Sequence, residues 1–406
     1  MINKIHNPPI NNSINNLKEN QRTIETSNQE TIDTSPDNSL INDNSIQDNI
    51  IQIKINKIME KLQKLEITNK ELLYKILDRL TLNKQQTFLN ELESLLDILS
   101  SKDIQKKLHP KVVTAIENSR IYIPVIINEE IIRDENNNLK CKETQEFKSL
   151  EDFRNKLLYD LLNALSDPNR ISQEKKGTCA QTVIERSIAE RNPAQYIKII
   201  TELITQGYYT APNGQKVPLN NGGIRKIKNE IDDRLLCTRI ITPSFMEFYY
   251  DKDPNIDDYN DDIDEPYSSY AHKTASAIYN AKYIRIDISS LDPTKKAEIL
   301  KELLEFSADC YPTFISYINY KYALHAVELK NINIEDNSIV ISDPKGKIET
   351  YTLNSLEVKT SQNFTKDYNK NYNKFIQNIY FATIPVLPFY VIITSFPDLP
   401  IRITNY

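Results

Sequence analysis

The chain has 406 residues, with 50 Lys and Arg against 56 Asp and Glu, a formal charge of −6. No basic excess exists to neutralise a phosphate backbone, so nucleic acid is excluded as the main ligand. At roughly 100 to 200 residues per domain the length allows two or three units. Four cysteines, Cys141, Cys179, Cys237 and Cys310, with no CxxC pair, read as a cytoplasmic or other reducing compartment rather than a disulfide scaffold.

Residues 1–50 hold twelve Asn among polar residues, with no sustained apolar periodicity, and are expected to be disordered. Their start shows no conventional signal peptide, which leaves export by a non-classical route open. From Ile51 the spacing changes. Ile51, Ile55, Ile58, Leu62 and Leu65 make one helical stripe, followed by Leu73, Ile76 and Leu80 and by Phe88, Leu92, Leu95 and Leu99. Residues 51–109 therefore read as a helical bundle with its own core, or as a coiled-coil arm for a protein partner. Asn69 and Asn83 are the expected caps between the pieces, and Pro110 closes the region.

The remainder, 110–406, reads as α+β, with helices first and strands last. Arg120–Ile132 and Leu139–Lys142 flank a hairpin turn at Asp134–Asn138. An apolar stripe from Leu150 to Leu165 predicts a helix stopping before Asp167-Pro168, and an amphipathic helix after Gly177 should end or kink at Asn192-Pro193. Strands are expected at Tyr322–Lys330, Ser338–Ser342 and Ile348–Leu353. The charge-free run Phe375–Pro397 has the length of a membrane span, but Pro385, Pro388 and its β-branched and aromatic residues favour paired strands, so membrane insertion is not expected. Asp251, Asp253, Asn255, Asp257 and Asp262 approach the spacing of a calcium loop, yet Ile256 stands where such loops need glycine; an acidic lid is the simpler reading. The glycines around Tyr208–Gly214 and Asn220–Gly223 mark either a loop lining a cleft or ordinary β-turns.

Chemistry concentrates at Gln173-Glu174-Lys175-Lys176-Gly177-Thr178-Cys179-Ala180. Unpaired backbone N–H groups and the helix dipole stabilise a thiolate at a helix start, making it a nucleophile, although a buried helix-end cysteine would give the same local sequence. Gln173 is placed to aim an amide at a developing oxyanion. A thiolate nucleophile needs an imidazole, and the chain offers His6, His109, His272 and His325. His325 stands on a strand and is the best placed, with His272 as its rival. Asp343 ends the next strand, and a turn within Asn331–Asn337 would bring it to the same end as His325, where it can orient the ring.

Gln173 through Cys179 resembles the active-site segment of papain-like cysteine peptidases, with Gly-Thr-Cys where that superfamily has Gly-Ser-Cys. His325 on one strand and Asp343 at the end of the next resemble its later His and Asn or Asp. Ala180 in place of an aromatic residue, the missing disulfide pattern and Asp343 in place of Asn point to bacterial Cys-His-Asp members. The resemblance implies a papain-like α+β domain and a thiol hydrolase acting on a peptide or isopeptide bond in a protein substrate, with export as an effector compatible with it. Cys179 would be the nucleophile, His325 the base, Asp343 its orienting partner and Gln173 an oxyanion donor, with no cofactor or metal. The alternatives are a deamidase or transglutaminase-type acyl transferase using the same residues, or a non-catalytic interaction protein using residues 51–109.

Overall fold

The computed structural model describes residues 38–67, 70–127, 130–137, 139–174, 178–225, 233–250, 271–307, 311–318, 324–352, 379–385 and 402–404. The chain divides after Ile50. Helix α1, Asn38–Lys64, begins inside the stretch expected to be disordered; residues 47–50 are exposed, and the apolar stripe is buried from Ile51. Ile55, Ile58, Leu62 and Leu65 follow it into the core, as do the stripes of α2, Lys70–Leu77, and α3, Leu82–Leu99.

These helices do not form a separate bundle. Their apolar residues belong to one cluster that runs from Ile51 to Ala326, with α2 packed on α6, Leu150–Ser166, and α3 packed on α8, Pro193–Gln206. The expected boundary near residue 109 is therefore crossed by shared core, which no single-helix pattern can reveal. Two local expectations change as well. Asn83 lies within α3, whose cap position is Thr81. Pro110 opens a helix instead of closing a region: after α4, Ile104–Lys107, it is the first residue of α5, Pro110–Glu117, where its missing N–H costs nothing, and the His109 ring accepts the Lys111 N–H at 3.2 Å.

The hairpin region forms as β1, Ile121–Pro124, paired antiparallel with β4, Cys141–Thr144, with the short β2, Ile126–Ile127, and β3, Glu130–Ile131, paired between them. Helix α6 starts at Ser149, whose hydroxyl accepts the Asp152 N–H, and stops before Asp167-Pro168. Helix α7 spans Cys179–Arg191; Asn192 ends it and caps α8 through the Gln195 N–H, with Pro193 at the first helical position. Gly207 closes α8 at φ +77°, a left-handed conformation that favours glycine. The hairpin β5, Tyr208–Thr210, and β6, Lys216–Pro218, turns through Gly214 and packs on α8 and on α10, Leu236–Tyr250; the short α9, Gly222–Arg225, lies between them in sequence.

Then come α11, Ala271–Tyr279; β7, Tyr283–Asp287; α12, Pro293–Ser307; and β8 to β11 at Thr313–Ile318, Leu324–Asn333, Ser338–Asp343 and Lys347–Thr352. Strands β12, Ile379–Pro385, and β13, Arg402–Thr404, complete among the described residues an antiparallel sheet ordered β11-β10-β9-β8-β12-β7-β13. The two-residue alternation of a strand divides the core. Tyr283, Phe314 and Ala326 join the large cluster with α7 and α11, whereas Ile284, Ile315 and Val327 join a second cluster with Leu300 and Leu303 of α12. The acidic loop 251–265 lies outside the described residues. Part of the charge-free run falls in β12, and no helix among the described residues is long and apolar enough to cross a membrane.

Because α3 shares its core with α8, loss of its packing should weaken the whole unit from Ile51 onward. Leu92 is fully buried, and Leu92→Ala should cost about 2–5 kcal/mol in one cooperative urea transition. Two separate transitions, with only the first displaced, would restore the independent bundle.

Candidate active site

Helix α7 positions the first group. It was expected to be amphipathic, but every residue from Cys179 to Ala189 is buried, because helices cover it on one side and strand β9 on the other. Cys179 is its first residue, at the end whose N–H groups have no partner within the helix. The preceding Thr178 is buried, with its hydroxyl 3.1 Å from that of Thr182. Gly177 lies outside the described residues.

Strands β9 and β10 position the next two. Near their turn the register pairs Asn333 with Ser338 and Asn331 with Val340, but beyond a bulge Leu329 pairs with Ile341 and Glu328 with Ser342. Continued by one residue, Asp343 stands opposite Val327, two residues from His325 and on the same face. Without the bulge Asp343 would stand opposite Glu328, and its side chain would project from the other face, since a one-residue slip inverts every side chain. His325 Nε2 lies 2.9 Å from Asp343 Oδ2, a diagonal contact across the two strands.

The Cys179 thiol lies close enough to the imidazole to act on its charge, and the ring nitrogen engaged by Asp343 is Nε2. Burial opposes a charge on the ring, but the hydrogen bonds to Asp343 and Cys179, with their charges, outweigh it and raise the pKa from 6.5 to about 9. Burial likewise opposes ionisation of Asp343, yet the His325 hydrogen bond and charge hold its carboxyl below the usual value, helped by the Lys345 N–H at 2.7 Å. The array is a buried thiol, imidazole and carboxylate in sequence, the arrangement that activates a nucleophile by giving its proton a nearby acceptor.

Gln173 is brought to the same turn: its N–H donates to the Pro344 carbonyl at 2.8 Å. Its side chain is buried, and Oε1 has no hydrogen-bond partner among the described residues. The other histidines are placed elsewhere. His109 caps α5, His272 lies on α11, and His6 is outside the described residues. Among the other thiols, Cys237 is fully buried, and burial first, then the charge of Glu185, pushes it well above the usual range. Cys141 is partly exposed on β4, and Cys310 is outside the described residues. No group of three or more acidic, His or Cys side chains suited to a metal ion occurs among the described residues.

Periodicity did not reveal the polar groups that hold this array. Arg191 near the end of α7 meets Glu328 of β9 at 2.9 Å, and Lys330 bridges Glu328 and Glu190 at 3.0 and 2.5 Å. Glu185 accepts from Tyr196 at 2.7 Å, Thr238 at 2.9 Å and Thr242 at 2.6 Å, tying α7 to α8 and α10. The available signal was charge within a buried register, Glu185 and Arg186 beside Ile184 and Ile188, which becomes informative only once the helix is known to lack a solvent face. No protein-family model, curated protein sequence or solved structure matches the chain.

The pKa of His325 stands above its ordinary value, so its contribution to stability is complete below about pH 6.5 and is lost as pH rises through about 9. The Asp343 contribution runs the other way, present above the ordinary carboxyl pKa and lost as pH falls through the depressed one. Urea midpoints of the protein and of His325→Gln should therefore differ most near about pH 6 and converge towards about pH 10. A gap that stays constant across that range would contradict a protonated, paired imidazole.

Proposed function

We propose that the chain is a papain-like thiol hydrolase that cleaves a peptide or isopeptide bond in a protein substrate. The observation that carries this reading is the array Cys179–His325–Asp343, with the thiol at the start of a buried helix and the carboxylate bonded to ring Nε2. The order of a cysteine-headed helix followed by an antiparallel sheet, with His and Asp on successive strands, supports the superfamily assignment.

The reaction starts from a thiolate–imidazolium pair, the Cys179 proton having passed to His325, and the thiolate sulfur bonds the amide carbonyl carbon. The negative oxygen that forms accepts from the backbone N–H groups at the start of α7 and from the Gln173 amide. As the tetrahedral centre collapses, the C–N bond breaks and the imidazolium gives its proton to the leaving amine. The acyl group remains on sulfur as a thioester. In the second half His325 takes a proton from water, the resulting hydroxide attacks the thioester carbon, and the proton returns to sulfur as the C–S bond breaks. Asp343 holds the ring in one orientation and favours its charged form throughout.

The reading predicts an order of thiol reactivity. Iodoacetamide at about pH 6 should alkylate Cys179 ahead of the more exposed Cys141 and the fully buried Cys237, and His325→Ala should abolish the preference. Peptide mass mapping after a short exposure reads the order. Faster labelling of Cys141, or unchanged labelling of Cys179 without His325, would favour a scaffold without an assembled nucleophile.

A further inference from the structure

Arg186 is only 1% exposed, lies about two turns after Cys179 on α7, and has no carboxylate within ion-pair distance among the described residues. Burying a guanidinium without a carboxylate partner is costly, and an apolar side chain of similar volume would fill the same space. What the apolar side chain cannot do is fix several oxygens at once in one plane. Arg186 Nη1 donates to the Asp343 carbonyl at 2.6 Å and to the Lys347 carbonyl at 3.4 Å, and Nη2 donates to Asn169 Oδ1. The first two oxygens stand at either end of the turn that leaves the Asp343 carboxylate facing His325. The third belongs to the segment that leads into Gln173.

Two further contacts join that turn to that segment. The Gln173 N–H donates to the Pro344 carbonyl at 2.8 Å. Gly346, at φ +81°, lies so close to the Asn169 backbone that a Cβ there would stand 2.3 Å from its carbonyl oxygen. The turn and the segment thus form one unit, held from the helix that begins with the nucleophile.

We propose that Arg186 is the positioning residue of the site, a clamp on α7 that holds the Asp343–Lys347 turn and the Asn169–Gln173 segment in place relative to Cys179. The proposal rests on the reading of Cys179, His325 and Asp343 as the working array. Its content is geometric: the same rigid helix sets the place of the thiol at one end and of the carboxylate two turns on. His325 can then meet both partners, Asp343 at Nε2 and the Cys179 thiol, with Lys345 and the Arg186 guanidinium as further charges that act on the Asp343 carboxylate.

The test uses histidine labelled with carbon-13 at Cε1, with the His325 signal assigned by its loss in His325→Gln. In the full chain that signal should titrate near pH 9. Arg186→Lys keeps the positive charge but loses the fork, so in a variant that still melts cooperatively the His325 titration should fall by about one unit or more. A His325 signal near its ordinary pKa in the unmodified protein would overturn the functional reading and the clamp together. A value near 9 that does not move in folded Arg186→Lys would overturn the clamp alone. If Arg186→Lys does not fold, Asn169→Ala, which removes one of the three acceptors, decides: a smaller downward shift supports the clamp, and no shift overturns it.

Discussion

Helix α7 has no solvent face from Cys179 to Ala189, so its polar side chains must be satisfied inside the protein or carry an energetic cost. Glu185 is satisfied by three hydroxyl groups from α8 and α10, and Arg186 by oxygens from the turn after β10 and from Asn169. Arg191, just beyond that stretch, pairs with Glu328 on β9. Gln181 and Ser187 are the exceptions, the amide atoms of the first and the hydroxyl of the second having no hydrogen-bond partner among the described residues. Each of these bonds has a direction, unlike apolar contact, so together they fix both the rotation of α7 and its position along its axis. A thiol at the first residue of a helix stays beside the imidazole only with that precision, because a small displacement would carry the sulfur away from the ring.

The sheet meets the same requirement from the other side. Strands β9 and β10 bring Asp343 to His325, and Lys330, within the span where their register shifts, also bridges Glu328 and Glu190. An irregularity in the ladder and an ion-pair network thus occur at the same place, and both connect the imidazole strand to α7. The electrostatic outcome follows from the geometry: burial disfavours an isolated charge, but a ring held between a thiol and a carboxylate gains more from its partners than burial takes away.

Much of the fold was legible because strong periodicity is a local property. The stripes beginning at Ile51, Leu73, Phe88 and Leu150 fall in helices, apart from Leu65 and Leu80 just past a helix end, with those residues buried or packed on the core, and the strands after Tyr322 and Ser338 formed near their expected bounds. The pairing of His325 with Asp343 was legible for a different reason. Few histidines limited the choice, and a polar stretch between two strands implied a hairpin. The bulge between the two strands was not legible, because a two-residue alternation gives no sign of where one extra residue will be absorbed. The shared core of α3 and α8 escaped for the same kind of reason: an apolar stripe shows that a face is buried, not which element covers it. Pro110 misled because proline favours both the end of one helix and the first turn of the next, and only the His109 cap separates the two.

The most direct test of the account is capture of the acyl group on Cys179. The protein would be mixed with a complex peptide library, quenched in acid within seconds, and digested, and the Cys179 peptide would be weighed. A hydrolase of this kind predicts added acyl mass on Cys179 alone, new peptide termini in the library, and neither signal in Cys179→Ala or His325→Ala. Unmodified Cys179 with no new termini, or library cleavage that persists in Cys179→Ala, would contradict it.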